Sequence, residues 1–263
     1  MAVNPHVYRI PFRAPGLQLI PSAGQGLPPF TGRNRQSDRF ELYWVAGQRG
    51  KPGLNADIQN IAEATRMIAD PDFELLGTNA VSTCSSYYVE GGITLTTTTT
   101  SGDQVILVPH LDVSQSAWGT VTWGTDQSVI WECWLKTQTI TTSTIWAGLK
   151  LTNTSVVATD NDQAFFRYND ATNAGKWQAV YSIANTDNTK DTGITVAANT
   201  WYHFAIVIRS DRCAEFYIND ELMTVSGTLT DATDLIPYIG VQTGGAVARS
   251  IVILNQSISR AKA

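Results

Sequence analysis

The stretch Thr200–Val225, TWYHFAIVIRSDRCAEFYINDELMTV, carries the clearest pattern in the chain. Apolar and polar residues alternate in two runs, which is typical of β-strands with one buried face. Ser210–Arg212 separates the runs with residues that favour a turn. Asn219-Asp220 provides a second reversal, because Asn and Asp tolerate left-handed backbone, and Leu222–Val225 resumes an extended run. The stretch therefore predicts two long antiparallel strands followed by a short third one.

Runs of the same kind continue from Asp72 to the C-terminus. No segment with a helical period interrupts them, so an all-β, two-sheet antiparallel sandwich is favoured over an α/β fold. The predicted strands are Phe73–Leu76, Tyr87–Val89, Ile93–Thr99, Gln104–Val108, Ala117–Trp123, Val129–Lys136, Thr144–Leu151, Ala164–Tyr168, Trp177–Ala184, Thr192–Val196, Trp201–Ser210, Cys213–Asn219, Leu222–Val225, Leu235–Val241 and Ser250–Ser259.

Residues 1–53 differ from this sandwich region in composition and charge. They hold seven basic and two acidic residues, a net charge of +5, so the remainder of a chain whose total is −5 carries −10. Their frequent Pro and Gly exclude long helices and central strands. We therefore predict an extended arm that becomes ordered on an acidic surface of a partner protein or of a sister copy. The residues expected to contact the partner are Arg9, Arg13, Arg33, Arg35, Arg39, Tyr43 and Trp44.

Other partners fit the sequence less well. The basic residues of the arm form no helix face, which argues against nucleic acid as the partner. No apolar run approaches the roughly 20 residues needed to cross a bilayer, so we expect no membrane partner. The three cysteines are widely spaced without a CxxC pair, and we predict that they are reduced thiols.

Residues 54–71 predict a short helix between the arm and the sandwich. Asn55 is the expected N-cap, and Asp70-Pro71 is the expected stop. The apolar stripe of this helix consists of Leu54, Ile58, Ile61 and Ile68. Thr65 occupies one position of the same stripe and places a hydroxyl group in it. Two interpretations remain open: a helix that covers the open end of its own domain, and a neck that joins two or three copies into a homo-oligomer.

Several segments of residues 72–263 carry a family resemblance. They are Val129–Leu135, Trp146–Leu149, Phe165–Tyr168, Trp201–His203 and Phe216–Leu222. Their order resembles the concanavalin A-like jelly roll, particularly its laminin-G-like and pentraxin-like branch. In that family a Trp-x-His strand and a Tyr-Ile/Val-Asp/Asn-Gly-x-Leu turn recur. Asp220-Glu221 stands where Gly is usual. The resemblance implies the sandwich fold and leaves function open, because the fold hosts lectins, glycosidases and virion proteins alike.

The chain also resembles proteins encoded beside capsid genes in tailed bacteriophages, through Asp72–Asn79, Trp146–Thr154, Trp177–Ser182 and Ile236–Gln242. That resemblance implies a capsid cement or decoration protein. Its partners would be the major capsid protein or other virion proteins, and it would be assembled in the host cytoplasm. The alternative is a receptor- or glycan-binding module of a tail or head fibre, with Trp118 and Trp123 as candidate glycan-stacking residues. Trp131, Trp134, Trp146 and Trp201 lie in apolar runs and are predicted to pack within or against the sheets.

The sequence offers little for catalysis. Members of the resembled family that hydrolyse glucans carry Glu-x-Asp-x-x-Glu on one strand, and that motif does not occur here. Glu132 stands alone, and the next acid is Asp160. His203 lies within the strand motif and is interpreted as structural. We therefore expect a protein that is not an enzyme.

One loop holds candidate ligands for a metal. Asp160 and Asp162 flank Asn161, and these are oxygen donors of the type that calcium prefers. The same residues are also the ones that a turn between strands requires. We therefore expect no cofactor. Calcium is the one metal for which the sequence offers candidate ligands.

Overall fold

The computed structural model describes residues 39–45, 51–54, 69–109, 117–118, 121–151 and 160–261. These residues form eighteen β-strands and three short 3₁₀ helices. The strands are β1 Arg39–Val45, β2 Lys51–Leu54, β3 Ala69–Leu76, β4 Ser85–Tyr87, β5 Ile93–Thr96, β6 Gln104–Pro109, β7 Ala117–Trp118, β8 Val121–Thr122, β9 Ile130–Thr137, β10 Ser143–Lys150, β11 Gln163–Asn169, β12 Lys176–Ile183, β13 Thr186–Thr195, β14 Trp201–Ile208, β15 Cys213–Ile218, β16 Glu221–Thr228, β17 Ile236–Thr243 and β18 Ser250–Ala261. The 3₁₀ helices are Ser82–Cys84, Thr125–Gln127 and Asn173–Gly175.

Two large sheets form a sandwich, as the sequence predicts. Sheet A has the strand order β16-β15-β14-β9-β18-β5-β4, and β1 also pairs with β18. Sheet B has the order β13-β12-β11-β10-β17-β6-β3-β2. The pairing between β2 and β3 is parallel, whereas the other pairings in the described part of the chain are antiparallel.

The hairpin predicted from Thr200–Val225 is present as β14, β15 and β16. Phe204 pairs with Ile218, and Val207 pairs with Glu215. Both residues of the β15–β16 turn, Asn219 and Asp220, have positive φ, at 51° and 70°. A two-residue hairpin turn with both φ values positive matches the twist of the strands, and Asn and Asp adopt it without glycine.

The main core lies between the inner faces of the two sheets. Phe204 of sheet A lies 4.7 Å from Phe166 and 4.8 Å from Trp177 of sheet B, measured between ring centroids. Trp131 is fully buried and donates its indole N–H to the side chain of Gln256 at 3.2 Å. The contacts of Phe204 hold the two sheets against each other, because large rings bury most of the apolar area in such a core.

The boundaries at the N-terminal side differ from the prediction. Arg39–Val45 pairs with β18 and Lys51–Leu54 pairs with β3, so the sandwich includes residues that we assigned to the arm. Ala69–Leu76 is a strand, so the expected helix stop, Asp70-Pro71, lies within β3. The strand order explains both differences, since these segments complete the sheets through pairings that local sequence does not reveal. The rest of the predicted arm and helix, including Arg9, Arg13, Arg33, Arg35, Ile58, Ile61 and Ile68, lies outside the described residues.

The three cysteines form no disulfide bond. Cys84 and Cys133 are buried, and Cys213 is half-buried. Burial raises the pKa of the Cys133 thiol well above its usual range, which keeps it protonated. In the described ranges no helix is both long and apolar enough to cross a membrane.

Candidate functional site

The outer face of sheet A holds polar and aromatic side chains on its two central strands. Along β9, Cys133 and Leu135 point into the core, so the residues that alternate with them point outward. Trp134 of β9 lies opposite His203 of β14, and Lys136 lies opposite Trp201. Both tryptophans are half-buried, which leaves part of each indole ring exposed to solvent.

A ring stack fixes the position of Trp134. Its ring lies 5.0 Å from the His203 ring with an angle of 15° between the planes. The Nδ1 atom of His203 is 3.0 Å from the Asp220 carboxylate, and the backbone N–H of His203 donates to the Asn219 side chain at 3.0 Å. The β15–β16 turn therefore holds the imidazole on which Trp134 stacks.

Lys136 connects the second tryptophan to the edge of the sheet. Its ammonium group donates to the Tyr88 hydroxyl at 2.8 Å and lies 4.0 Å from the Glu90 carboxylate. It also lies 5.1 Å from the centre of the Tyr88 ring and 5.8 Å from that of Trp201. Cations are attracted to aromatic faces at such distances. We call Tyr88, Trp134, Lys136, Trp201 and His203 the aromatic patch.

Two carboxylates lie on the same outer face, farther along the strands. Glu132 of β9 is 2% exposed and accepts a hydrogen bond from the Ser257 hydroxyl at 3.5 Å. Glu215 of β15 is 5% exposed and accepts from the Tyr217 hydroxyl at 2.7 Å and from the Arg209 guanidinium at 3.2 Å. Burial, together with the Glu215 carboxylate, raises the pKa of Tyr217 well above its usual range, so the phenol stays a proton donor.

Several predicted site residues lie elsewhere. Trp123 is fully buried in the main core, so its prediction as an exposed stacking residue is wrong: the Gly and Thr beside it mark a bend in the chain and not an exposed ring. The side chains of Trp118, Arg39, Tyr43, Trp44 and Leu54 lie outside the described residues, so their predicted roles stay predictions.

The candidate calcium ligands have other partners. The Asp160 carboxylate lies 3.7 Å from the ammonium group of Lys150, which is fully buried. A carboxylate oxygen of Asp162 accepts the backbone N–H of Ala184 at 3.4 Å. In the described residues no three His, Cys, Asp or Glu side chains are grouped so as to hold a metal ion. The ion pair with Lys150 already supplies the positive charge that a calcium ion would bring to Asp160.

The aromatic patch was missed because its tryptophans were grouped with apolar neighbours. Trp131 and Trp134 are three residues apart, so they point to opposite faces of β9. Trp131 is in the core, as predicted, whereas Trp134 shares its face with Glu132 and Lys136. Trp134 is two positions from each of these charged residues, and residues two apart in a strand lie on the same face. This spacing identifies Trp134 as a ring on the outer face.

No family model matches the sequence, and no curated protein matches it. Solved structures do match the fold. A β-glucanase from Bacillus licheniformis superposes with a TM-score of 0.53 at 12% identity, covering 83% of this chain and 97% of the glucanase. A protein of unknown function from Shewanella oneidensis MR-1 gives 0.52 at 13% identity, covering 85% and 87% of the two chains. The Crh5 transglycosylase gives 0.51 at 11% identity, covering 86% and 85%. The chain is therefore an all-β jelly-roll sandwich of the concanavalin A-like type, as its sequence predicts.

The expectation that the chain is not an enzyme is overturned by these similarities. Structures that share the fold over more than four fifths of the chain are named as a glucanase, a transglycosylase and a glycosidic hydrolase. The expectation depended on finding no paired carboxylates along one strand. Glu132 and Glu215 reach one face from two different strands, so the missing strand motif does not exclude a pair of acids on this face.

Proposed function

We propose that the chain is a glycan-binding module and that the glycan lies on the aromatic patch. The observation that carries the proposal is the pair of partly exposed rings, Trp134 and Trp201, on the same face of neighbouring strands. They occupy diagonal positions, which places their Cα atoms about 7–8 Å apart. The named activities of proteins with this fold, a glucanase and a transglycosylase among them, support a carbohydrate ligand.

The chemistry of the patch suits a sugar. One face of a pyranose presents C–H groups that pack on an aromatic ring, while its rim presents hydroxyl groups that need donors and acceptors. Lys136 supplies donors beside Trp201, and the Tyr88 hydroxyl and the exposed Glu90 carboxylate supply acceptors within the same cluster. The stack of Trp134 on His203 holds one ring in place before the ligand arrives, which reduces the entropy lost on binding.

A glycan array with the full chain, followed by calorimetry on the best ligand, tests this proposal. We expect Trp134→Ala and Trp201→Ala each to weaken binding about tenfold or more, a change of about 1.4 kcal/mol, because each removes a stacking surface. Lys136→Ala should weaken binding as well. Lys190→Ala is its matched control, since Lys190 is exposed on β13 of the other sheet, and it should leave the affinity unchanged. Absence of any glycan binding by the intact chain would refute the proposal, and so would equal affinity of the wild type and both tryptophan variants.

Glycan cleavage on the same face is a second candidate, because Glu132 and Glu215 flank β14 there. Glycosidases use two carboxyl groups separated by about 5–10 Å, one as acid and the other as base or nucleophile. If the face cleaves glycans, Glu132→Gln removes turnover while binding on the patch persists. Glu221→Gln, which alters an exposed acid on β16, is the matched control. Turnover that survives in Glu132→Gln would assign the chemistry to another group.

Attachment to a capsid stays a prediction from the sequence, as do the virion location, the capsid partner and the homo-oligomer. The structure changes the way to test it. Deleting residues 1–53 removes β1 and β2 from the two sheets, whereas deleting residues 1–38 leaves both strands intact. The shorter deletion is therefore the variant in which loss of co-purification with capsids would report on the arm.

A further inference from the structure

Strand β18 contains a β-bulge beside the aromatic patch. Ile253 pairs with Leu135 of β9, but the next pair along the two strands is Asn255 with Trp134. β18 therefore has one extra residue, Leu254, at this point. Bulges often lie next to functional sites, where they change the direction of a side chain. The position of this bulge, directly opposite Trp134, points to Asn255 as a residue of the patch.

The bulge turns Asn255 towards the outer face of sheet A. Ile253 lies in the main core before the bulge, and Ile258 lies in it afterwards. An odd separation such as theirs would place two residues of a regular strand on opposite faces. In a regular strand Asn255 would share the inward direction of Ile253. The extra residue brings it instead to the face that carries Trp134.

The side chain of Asn255 is half-buried beside this ring. Residues directly opposite each other on antiparallel strands have Cβ atoms about 4.5–5.5 Å apart, so the amide lies next to Trp134. Among the described residues none hydrogen-bonds this amide, which is in contact with solvent. A primary amide offers N–H donors and a carbonyl acceptor side by side. The patch thus presents an amide with both functions open to a ligand.

The orientation of the Trp134 ring directs a ligand towards Asn255. The His203 ring of β14 covers one face of the indole at a centroid distance of 5.0 Å. In sheet A the strand β9 lies between β14 and β18, so the face turned away from His203 is on the β18 side. Asn255 lies on that side and has a short side chain, which leaves room above it for a ring packed on Trp134.

We propose that Asn255 is a ligand-binding residue that selects 1,4-linked glycans. This inference rests on the proposed glycan-binding function. A pyranose packed on the β18-side face of Trp134 brings its hydroxyl rim to the amide, where two adjacent hydroxyl groups match one donor and one acceptor. Interior units of 1,4-linked glycans keep the adjacent 2- and 3-hydroxyl groups free. Interior units of 1,3-linked glycans do not, and they leave the amide partly unpaired.

Calorimetric titration of the full chain with cellohexaose, which is β-1,4-linked, and with laminarihexaose, which is β-1,3-linked, tests the proposal. We expect the wild type to bind cellohexaose about three- to tenfold more tightly. Asn255→Ala should weaken cellohexaose binding by about the same factor and so remove the preference. Asn188→Ala is the matched control, because it removes a half-buried amide from β13 of the other sheet, and it should change neither affinity.

A double-mutant cycle separates a binding role of Asn255 from a structural one. Because Asn255 and Trp134 contact the same sugar unit, Asn255→Ala should weaken cellohexaose binding less than about twofold once Trp134→Ala has removed the ring. An equal loss in both backgrounds would overturn the inference. So would equal binding of the two hexaoses by the wild type, or binding of neither by a chain that binds another glycan. In each of these cases the glycan-binding function itself stands, whereas a wild type that binds no glycan would refute both.

Discussion

Phe204→Ala is expected to lower the free energy of unfolding by about 3–5 kcal/mol. Phe204 is fully buried in β14, and its ring contacts Phe166 and Trp177 of the opposite sheet as well as Tyr202 of its own. Its removal leaves a cavity at the point where the two sheets meet, and rings already packed on several sides have little freedom to fill it. Urea or guanidinium unfolding followed by tryptophan fluorescence measures the change.

Leu222→Ala is the control for this prediction. Leu222 belongs to the same three-strand unit but is 47% exposed in β16, so its truncation should change the stability by no more than about 0.5 kcal/mol. Similar losses from both substitutions would mean that the main core does not join the two sheets through Phe204.

Asp160→Asn is expected to lower the free energy of unfolding by about 3–5 kcal/mol, because it removes the carboxylate from a buried ion pair and leaves the Lys150 charge uncompensated. The two groups lie 3.7 Å apart, and the Lys150 ammonium also lies 4.6 Å from the centre of the Tyr238 ring. The double variant Lys150→Met/Asp160→Asn should recover most of the loss, since neither charge then remains buried. A double variant as unstable as Asp160→Asn would show that the lost charge pair is not the cause.

The pH dependence of stability gives a second readout of Lys150. Burial lowers the pKa of Lys150 below its ordinary value of 10.5, and Asp160 offsets only part of that shift. Between the lowered pKa and 10.5 the unfolded chain binds more protons at this site than the folded chain does. The contribution of Lys150 to the free energy of unfolding therefore rises with pH in that range. The free energy of unfolding of the wild type minus that of Lys150→Met should therefore increase as the pH is raised from 7 to 10.

Much of the fold follows from local sequence. The alternation in Thr200–Val225 and the Asn219-Asp220 turn specify β14, β15 and β16, because side-chain parity and turn chemistry are local properties. The ends of the sandwich are different. Strands β1 and β2 lie in a segment rich in Pro and Gly, and they are strands because β18 and β3 offer edges to pair with, which no local pattern reports.

The candidate site was harder to predict because it depends on which strands become neighbours. The Trp-x-His motif identifies Trp201 and His203, and the parity of β9 identifies Trp134 and Lys136. Only the pairing of β9 with β14 brings these four residues together. Tyr88 joins them from the end of β4, on the far side of β18 and β5 in sheet A. The same reason explains why Glu132 seemed isolated in sequence, although Glu215 shares its face.

A crystal structure of the full chain in complex with the glycan selected by array screening would show directly where the ligand binds. We expect a sugar ring packed on Trp134 or Trp201, with its hydroxyl groups hydrogen-bonded to Lys136, Tyr88 or Glu90. A glycan bound on another surface of the sandwich, with the aromatic patch unoccupied, would contradict it.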